Sequence, residues 1–233
     1  MPRVFAVGDI HGCVDELIVL LDRLGPSADD KIIFLGDYID RGPAVRAVVD
    51  RVLALQAQKL ECMFLKGNHE DMFLAYLGEE GRYGDAFLHN GGAATLSSYG
   101  LVDVAAEQAA RRLPEGHLEF FRRLRPYHRE DGFLFVHAGV RPFLPLERQD
   151  EEDLYWIRDD FTQEPHDLGV TVIFGHTPYR EILVDLPYKI GIDTGLVYRN
   201  KLSCIEVVSK SLYQVSRGTR TVKETSLAHL FPS

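Results

Sequence analysis

Five short segments hold most of the residues in this chain that could do chemistry: Gly8-Asp9-Ile10-His11-Gly12, Gly36-Asp37-Tyr38-Ile39-Asp40-Arg41-Gly42, Gly67-Asn68-His69-Glu70, His137-Ala138-Gly139 and Gly175-His176-Thr177. Asp9, His11, Asp37, Asn68, His137 and His176 offer oxygen and nitrogen donors with no thiolate among them. Such a set suits first-row divalent ions such as Mn, Fe, Co or Zn better than an oxygen-only Mg or Ca cage. These donors are too many for one tetrahedral site but suit two ions that share a bridging carboxylate. Two ions about 3.5–4 Å apart can clamp a phosphate, acidify a water and stabilise in-line displacement. The chemistry therefore requires all five segments to converge.

Each segment follows a short apolar run, at residues 4–7, 32–35, 62–65, 133–136 and 170–174, with Lys66 alone intervening before Gly67. Helix-like patterns over residues 15–24 and 43 to about 58 separate the first three runs. Apolar runs alternating with amphipathic helices predict βαβ units and a buried, largely parallel sheet. In α/β sheets, ligand sites assemble at the C-terminal ends of the strands. Asp9, Asp37 and Asn68 are each about one βαβ unit apart, which predicts loops lying side by side. Glycines in these loops let the chain turn sharply and approach a shared centre without a Cβ clash. Pro43 is expected just inside the second helix, where its missing N–H costs nothing.

Residues from about 71 to 125 are helix-prone, broken by glycines and without a strand signal, and read as a helical insert. Beyond residue 132 the chain turns strand-rich, with further runs at 181–184, 188–192 and 202–208. These predict a second sheet stacked on the first. The fold class expected is α/β, with two stacked mixed β-sheets flanked by helices. No linker is evident, so residues 1–233 read as one domain.

Composition sets the outer limits. Hydrophobic residues are 45% and charged residues 26% of the 233 residues, ordinary for a globular protein. No apolar run approaches the roughly 18 residues of a membrane span, and residues 1–9 read as a first strand rather than an export signal. A cytoplasmic location and no membrane partner are therefore expected. The net charge of −9 and the lack of a dense Lys/Arg cluster argue against a long nucleic acid as partner. Cys13, Cys62 and Cys204 are odd in number and far apart, which predicts free thiols.

Taken in order, Gly-Asp-x-His-Gly, Gly-Asp-x-x-Asp-Arg-Gly, Gly-Asn-His-Glu, His-Ala-Gly and Gly-His-Thr resemble the PPP family of Ser/Thr protein phosphatases, within the calcineurin-like metallophosphoesterases. The compact bacterial and phage-type members, such as lambda phosphatase, are similar over residues 4 to about 206. The resemblance implies a four-layer αββα arrangement and two divalent ions, with Mn the expected metal in vitro. Asp9, His11 and Asp37 would hold the first ion. Asp37, Asn68, His137 and His176 would hold the second, with Asp37 bridging and Asn68 also meeting substrate. A metal-activated hydroxide would attack phosphorus directly, without a covalent phosphoenzyme.

Arg41 and Arg158 would grip phosphate oxygens, a task that suits a guanidinium fork. His69 would protonate the leaving alcohol, with Asp40 orienting it and favouring its charged form. Arg158, in Trp156-Ile157-Arg158, has less context and a structural role stays open. Asn90, in His89-Asn90-Gly91-Gly92, resembles a segment near the active site of phage-type members but equally fits a helix-terminating turn. Proline at 178 means that the last motif offers no second imidazole to the first ion.

The activity expected first is that of a Ser/Thr-type phosphoprotein phosphatase, possessing some scope for phosphotyrosine. Its partner would be a phosphorylated protein or a small phosphoester, and the chain a monomer. Asp40 and Glu70 favour that reading over a symmetrical diadenosine tetraphosphate hydrolase or another nucleotide phosphohydrolase. A silent metal- or phosphopeptide-binding module is disfavoured because every ligand and the proton donor are retained.

Overall fold

The apolar four-residue runs are strands buried on both faces, as their near-continuous Val, Ile and Phe content requires. In a computed structural model, which describes residues 2–231, the first third runs β1 (Val4–Val7), α1 (Val14–Leu24), β2 (Lys31–Phe34), α2 (Val45–Ala57), β3 (Glu61–Phe64). An all-helical stretch follows, with α3 (Asn68–Tyr76), α4 (Ala93–Ser98), α5 (Ala106–Arg112) and α6 (Glu115–Arg122). The remainder is β4 (Tyr127–Glu130), β5 (Phe133–Val136), α7 (Glu151–Trp156), α8 (Asp159–Thr162), β6 (Thr171–Phe174), β7 (Leu183–Asp185), β8 (Lys189–Gly191), β9 (Lys201–Glu206), β10 (Ser211–Ser216) and β11 (Val222–Ser226).

Two mixed sheets result, ordered β11-β10-β9-β1-β2-β3 and β4-β5-β6-β8-β7. In the first, β1, β2 and β3 run parallel and β9 to β11 are antiparallel. In the second, β5, β6 and β8 are parallel, with β4 and β7 antiparallel on the edges. Strand side chains alternate between faces, and three cores follow. Ala6, Ile33, Phe135, Ile173 and Ile205 pack between the sheets. Phe5, Val7, Ile32 and Phe34 face the layer of α1, α2, α3 and α6 on the outer side of the first sheet. Leu134, Val136 and Val172 face Tyr155 and Phe161 of α7 and α8 on the outer side of the second. The expected αββα layering is present.

The helical insert leaves β3 and returns to it. Arg125 N donates to Phe64 O at 3.0 Å and Lys66 N to Arg125 O at 2.8 Å, so the excursion closes beside Asn68. The three cysteines are free, with Cys13 and Cys204 buried. Among the described residues no helix is long and apolar enough to cross a membrane.

Three expectations need correction. The run at 202–208 is β9, which pairs with β1 in the first sheet rather than extending the second. Alternation sets which face of a strand is buried but not its neighbour. Pro43 lies in the turn before α2, whose cap is Ala44. Left-handed turns at Asp40 (φ 67°) and Arg41 (φ 64°) delay the helix start. Finally, β4, β10 and β11 carry too many polar residues to show a strand signal, and β7 begins two residues later than the run suggests.

Candidate metal centre

The five loops converge. Asp9, His11, Asp37, Asn68, His137 and His176 are all at most 5% exposed. Asp37 stands in the middle: its Oδ2 is 3.3 Å from His11 Nε2 and its Oδ1 is 3.4 Å from His137 Nε2. One donor atom each from Asp9, Asp37 and His137 lies within 4.8 Å of the others, and the same holds for His11, Asp37 and His69. Asp37 alone belongs to both groups. Asn68 Oδ1 is 3.0 Å from both His137 Nε2 and His176 Nδ1. The His176 backbone N–H donates to Asp9 Oδ2 at 3.1 Å, which ties the first and last loops together.

The donor set fits divalent ions. His11 Nδ1 donates to Ile39 O at 2.7 Å and His137 Nδ1 to Leu35 O at 2.9 Å, so each ring turns the lone pair of its Nε2 towards Asp37. At His137 that lone pair faces a carboxylate and an amide oxygen, an array of acceptors that only a cation or a proton reconciles. Burial, then the proximity of His137 and Arg158, holds the His176 imidazole well below its usual range, and its Nε2 is buried without a partner. Asp9 is pushed up by burial, then by the charges on Asp193 and Asp37. Asp37 stays low despite burial because His137, His69 and His11 surround it. Crowded buried acids beside neutral imidazoles are stable when cations join them.

This arrangement is held under strain. His11, Asp37, Asp40, Arg41 and His176 all have φ between 44° and 67°, a left-handed conformation that costs non-glycine residues about 1 kcal/mol or more each. Glu70 supplies much of the restraint. Its carboxylate accepts from the backbone N–H groups of Asp37 (2.9 Å), Tyr38 (2.8 Å), Ile39 (3.3 Å) and Gly67 (3.0 Å). Burial and the Asp37 charge push Glu70 up, while the backbone donors of Asp37 and Gly67 pull it down; the carboxylate form is the one that accepts all four. Asp37 O in turn accepts from Ile10 N and His11 N, which fixes the first loop on the second. A Cβ on Gly67 or Gly175 would collide with the carboxylates of Asp37 or Asp9, so side chains are excluded there.

The expected Asp40–His69 contact forms, with His69 Nδ1 2.5 Å from Asp40 Oδ2. The expected charge does not follow. Burial pushes Asp40 up to about 8 and His69 down to about 3, because both are almost fully enclosed. At neutral pH the pair then shares one acidic proton and carries no net charge. Wherever that proton sits along the short contact, His69 Nε2 bears a hydrogen, and this atom is buried without a partner. His69 thus presents a donor at 3.9 Å from Asp37 Oδ2.

Arg41 is half-buried and its guanidinium meets His11 Nε2 at 2.8 Å and the face of Tyr198 at 5.5 Å. His11 Nε2 has one lone pair, so it cannot hold Arg41 and a metal ion at once. Arg158 is exposed, and its one side-chain hydrogen bond among the described residues is a long one of 3.5 Å to Thr177 Oγ1. Asn90 donates to Ala86 O at 2.9 Å within its own turn, while neighbouring Gly91 O accepts from Arg41 N. The Asn90 amide thus serves the turn with one N–H, and the segment touches Arg41 through Gly91.

Two contributors escape a sequence reading. Glu70 was visible in Gly-Asn-His-Glu, but its grip on two loops depends on their convergence. Thr95, from α4 in the insert, donates to Asp40 Oδ1 at 2.5 Å and accepts from Asp40 N at 3.0 Å; nothing in Ala93-Ala94-Thr95-Leu96 signals this.

Residues 2–196 match the family described as calcineurin-like phosphoesterase. Similar curated proteins include the asymmetrical bis(5'-nucleosyl)-tetraphosphatase PrpE of Bacillus thuringiensis, 27% identical over 226 residues, covering 85% of this chain and 88% of that one. The same-named protein of Oceanobacillus iheyensis is 25% identical over 245 residues and covers 92% of each. Among solved structures, one described as a candidate diadenosine tetraphosphatase aligns with a TM-score of 0.69 at 23% identity, covering 93% of this chain and 96% of that one. The cold-active protein-tyrosine phosphatase of a Shewanella species aligns with a TM-score of 0.64 at 17% identity, covering 96% of this chain and 80% of that one. Both likenesses are of fold.

Replacing Glu70 by Gln puts an NH₂ group against backbone N–H groups that need an acceptor. Each orphaned buried donor costs about 1–3 kcal/mol, so Glu70→Gln should lose about 2–4 kcal/mol in urea denaturation. An unchanged midpoint would contradict the restraint assigned to this side chain.

Proposed function

The chain belongs to the calcineurin-like phosphoesterases, and on that premise we propose that it is a metal-dependent hydrolase of dinucleoside polyphosphates. The observation that carries this reading is the likeness, along nearly the whole of both chains, to relatives named as asymmetrical bis(5'-nucleosyl)-tetraphosphatases. The site supports it with Tyr198, which is 60% exposed beside Arg41. An aromatic face of that kind stacks a nucleobase, next to the guanidinium that meets the phosphates.

When bound, two divalent ions supply charge neutralisation and an acidified water. Asp9, His11 and Asp37 would hold one and Asp37, Asn68, His137 and His176 the other, with Mn the assay metal. Arg41 and Arg158 orient the phosphate, while His69 Nε2–H offers a proton to the departing oxygen. A cytoplasmic monomer acting on small phosphorylated molecules belongs to the same reading.

Phosphoprotein phosphatase activity is the second reading, and the Asp40–His69 pair favours it. A buried proton donor matters most when the leaving group is a basic alkoxide, as from phosphoserine. The full-length relatives reverse the order that Asp40 and Glu70 suggest from sequence, and they point to asymmetrical rather than symmetrical cleavage.

Rates with Mn should be compared on diadenosine tetraphosphate, a phosphoserine peptide and a phosphotyrosine peptide. Preference for the dinucleotide by at least about tenfold in kcat/KM, with ATP and AMP as products, is expected; each 1.4 kcal/mol of transition-state discrimination gives that factor. A preference for either peptide would overturn the proposal, and no turnover of any would return the silent binding module. His69→Asn should lower turnover of an alkyl phosphate by roughly 10²–10⁴ but affect the phosphoanhydride much less, with metal content unchanged. Loss of an ion in this variant would make His69 a ligand instead.

A further inference from the structure

The first ion is left with three protein donors by the sequence motifs, since Pro178 cannot add a fourth. A sixth strand end reaches the same place. β8 lies parallel to β6, with Gly191 opposite Phe174, and Ile192 N donates to Phe174 O at 2.8 Å. The residue after Ile192 is therefore level with Gly175-His176. On the other side, a Cβ built on Gly8 would lie 2.8 Å from Ile192 O, so the exits of β1 and β8 are in direct contact. Asp9 follows one contact residue and Asp193 the other.

We propose that Asp193 is a further carboxylate of the first ion's site, held beside Asp9 at the end of β8. Its side chain is enclosed, with the residue 6% exposed. One oxygen, Oδ1, accepts from Gly195 N at 2.8 Å, and Tyr179 N donates to the backbone oxygen at 3.0 Å. The other carboxylate oxygen has no hydrogen bond among the described residues. Asp193 thus keeps one carboxylate oxygen free to meet a cation. The ion served is the one that His11 and Asp9 hold. The inference rests on the two-ion reading of the centre and not on the choice of substrate.

Asp193→Asn separates charge from structure, because an amide oxygen can still accept the Gly195 N–H. Protein stripped with chelator should be titrated with Mn alone by calorimetry. The wild type should bind two ions, and Asp193→Asn should bind one of them at least about tenfold more weakly, in line with other groups that support ligands, while the other is unaltered. Asp9→Asn should weaken the same step and His176→Ala the other step. Asp193→Ser, which keeps a hydroxyl acceptor, should repeat the loss and guards against a folding defect peculiar to the amide. Two ions bound by Asp193→Asn with wild-type affinities, or both weakened equally, would overturn the proposal. Fewer than two ions on the wild type would instead overturn the two-ion reading beneath it.

Discussion

The negative charge of Asp37, buried among three imidazoles, is the interaction on which the centre depends. It is the one carboxylate common to both groups of potential ligand atoms, and it remains ionised in a setting where burial alone would neutralise it. A buried charge of this sort survives only with partners. The neighbouring rings turn Nε2 lone pairs towards it, His11 through Ile39 O and His137 through Leu35 O, so the partners that the charge needs are cations held between carboxylate and imidazole. The whole arrangement is therefore organised around positive charge that the side chains themselves supply only in part.

Keeping that charge in place requires a backbone that the chain would not adopt unaided. Five left-handed residues cluster at the loops, and strain of this kind persists where surrounding contacts over-determine it. Glu70 crosslinks the second and third loops, Asp37 O crosslinks the first and second, and the His176 N–H closes the ring on Asp9. These are backbone hydrogen bonds to buried acceptors, so the positions of the ligands are set by the loops and not by flexible side chains. The helical insert adds Thr95 beneath Asp40 and Gly91 beneath Arg41, which couples the outer shape of the site to the Asp40–His69 pair and to Arg41.

Much of this was legible in the sequence, and the reasons for the rest are physical. Apolar runs ending in Gly-Asp, Gly-Asn, His-Ala or Gly-His mark the strand ends, so the six candidate donors and the convergence of their loops are legible in residue type and spacing. The alternation of Phe5 and Val7 against Ala6 shows which faces are buried, yet pairing partners are a tertiary matter, and the run at 202–208 carries no mark of its pairing with β1. The Asp40–His69 contact was foreseen from adjacent motifs, whereas its charge state depends on enclosure that no local pattern reports. Asp193 obeys the same strand-end rule as the other acids, but Ile192-Asp193-Thr194-Gly195 lacks a histidine or asparagine to draw attention to it. Substrate choice was least legible, because Asp40 and Glu70 act on the proton and the loops and not on the group beyond the phosphate.

The most direct test of the shared carboxylate is the count of ions per chain. Protein stripped of metal and reloaded with Mn should carry two tightly held ions by elemental analysis, and Asp37→Asn should lose tight binding of both while its circular dichroism is unchanged. An Asp37→Asn protein that still held two ions tightly would contradict the account.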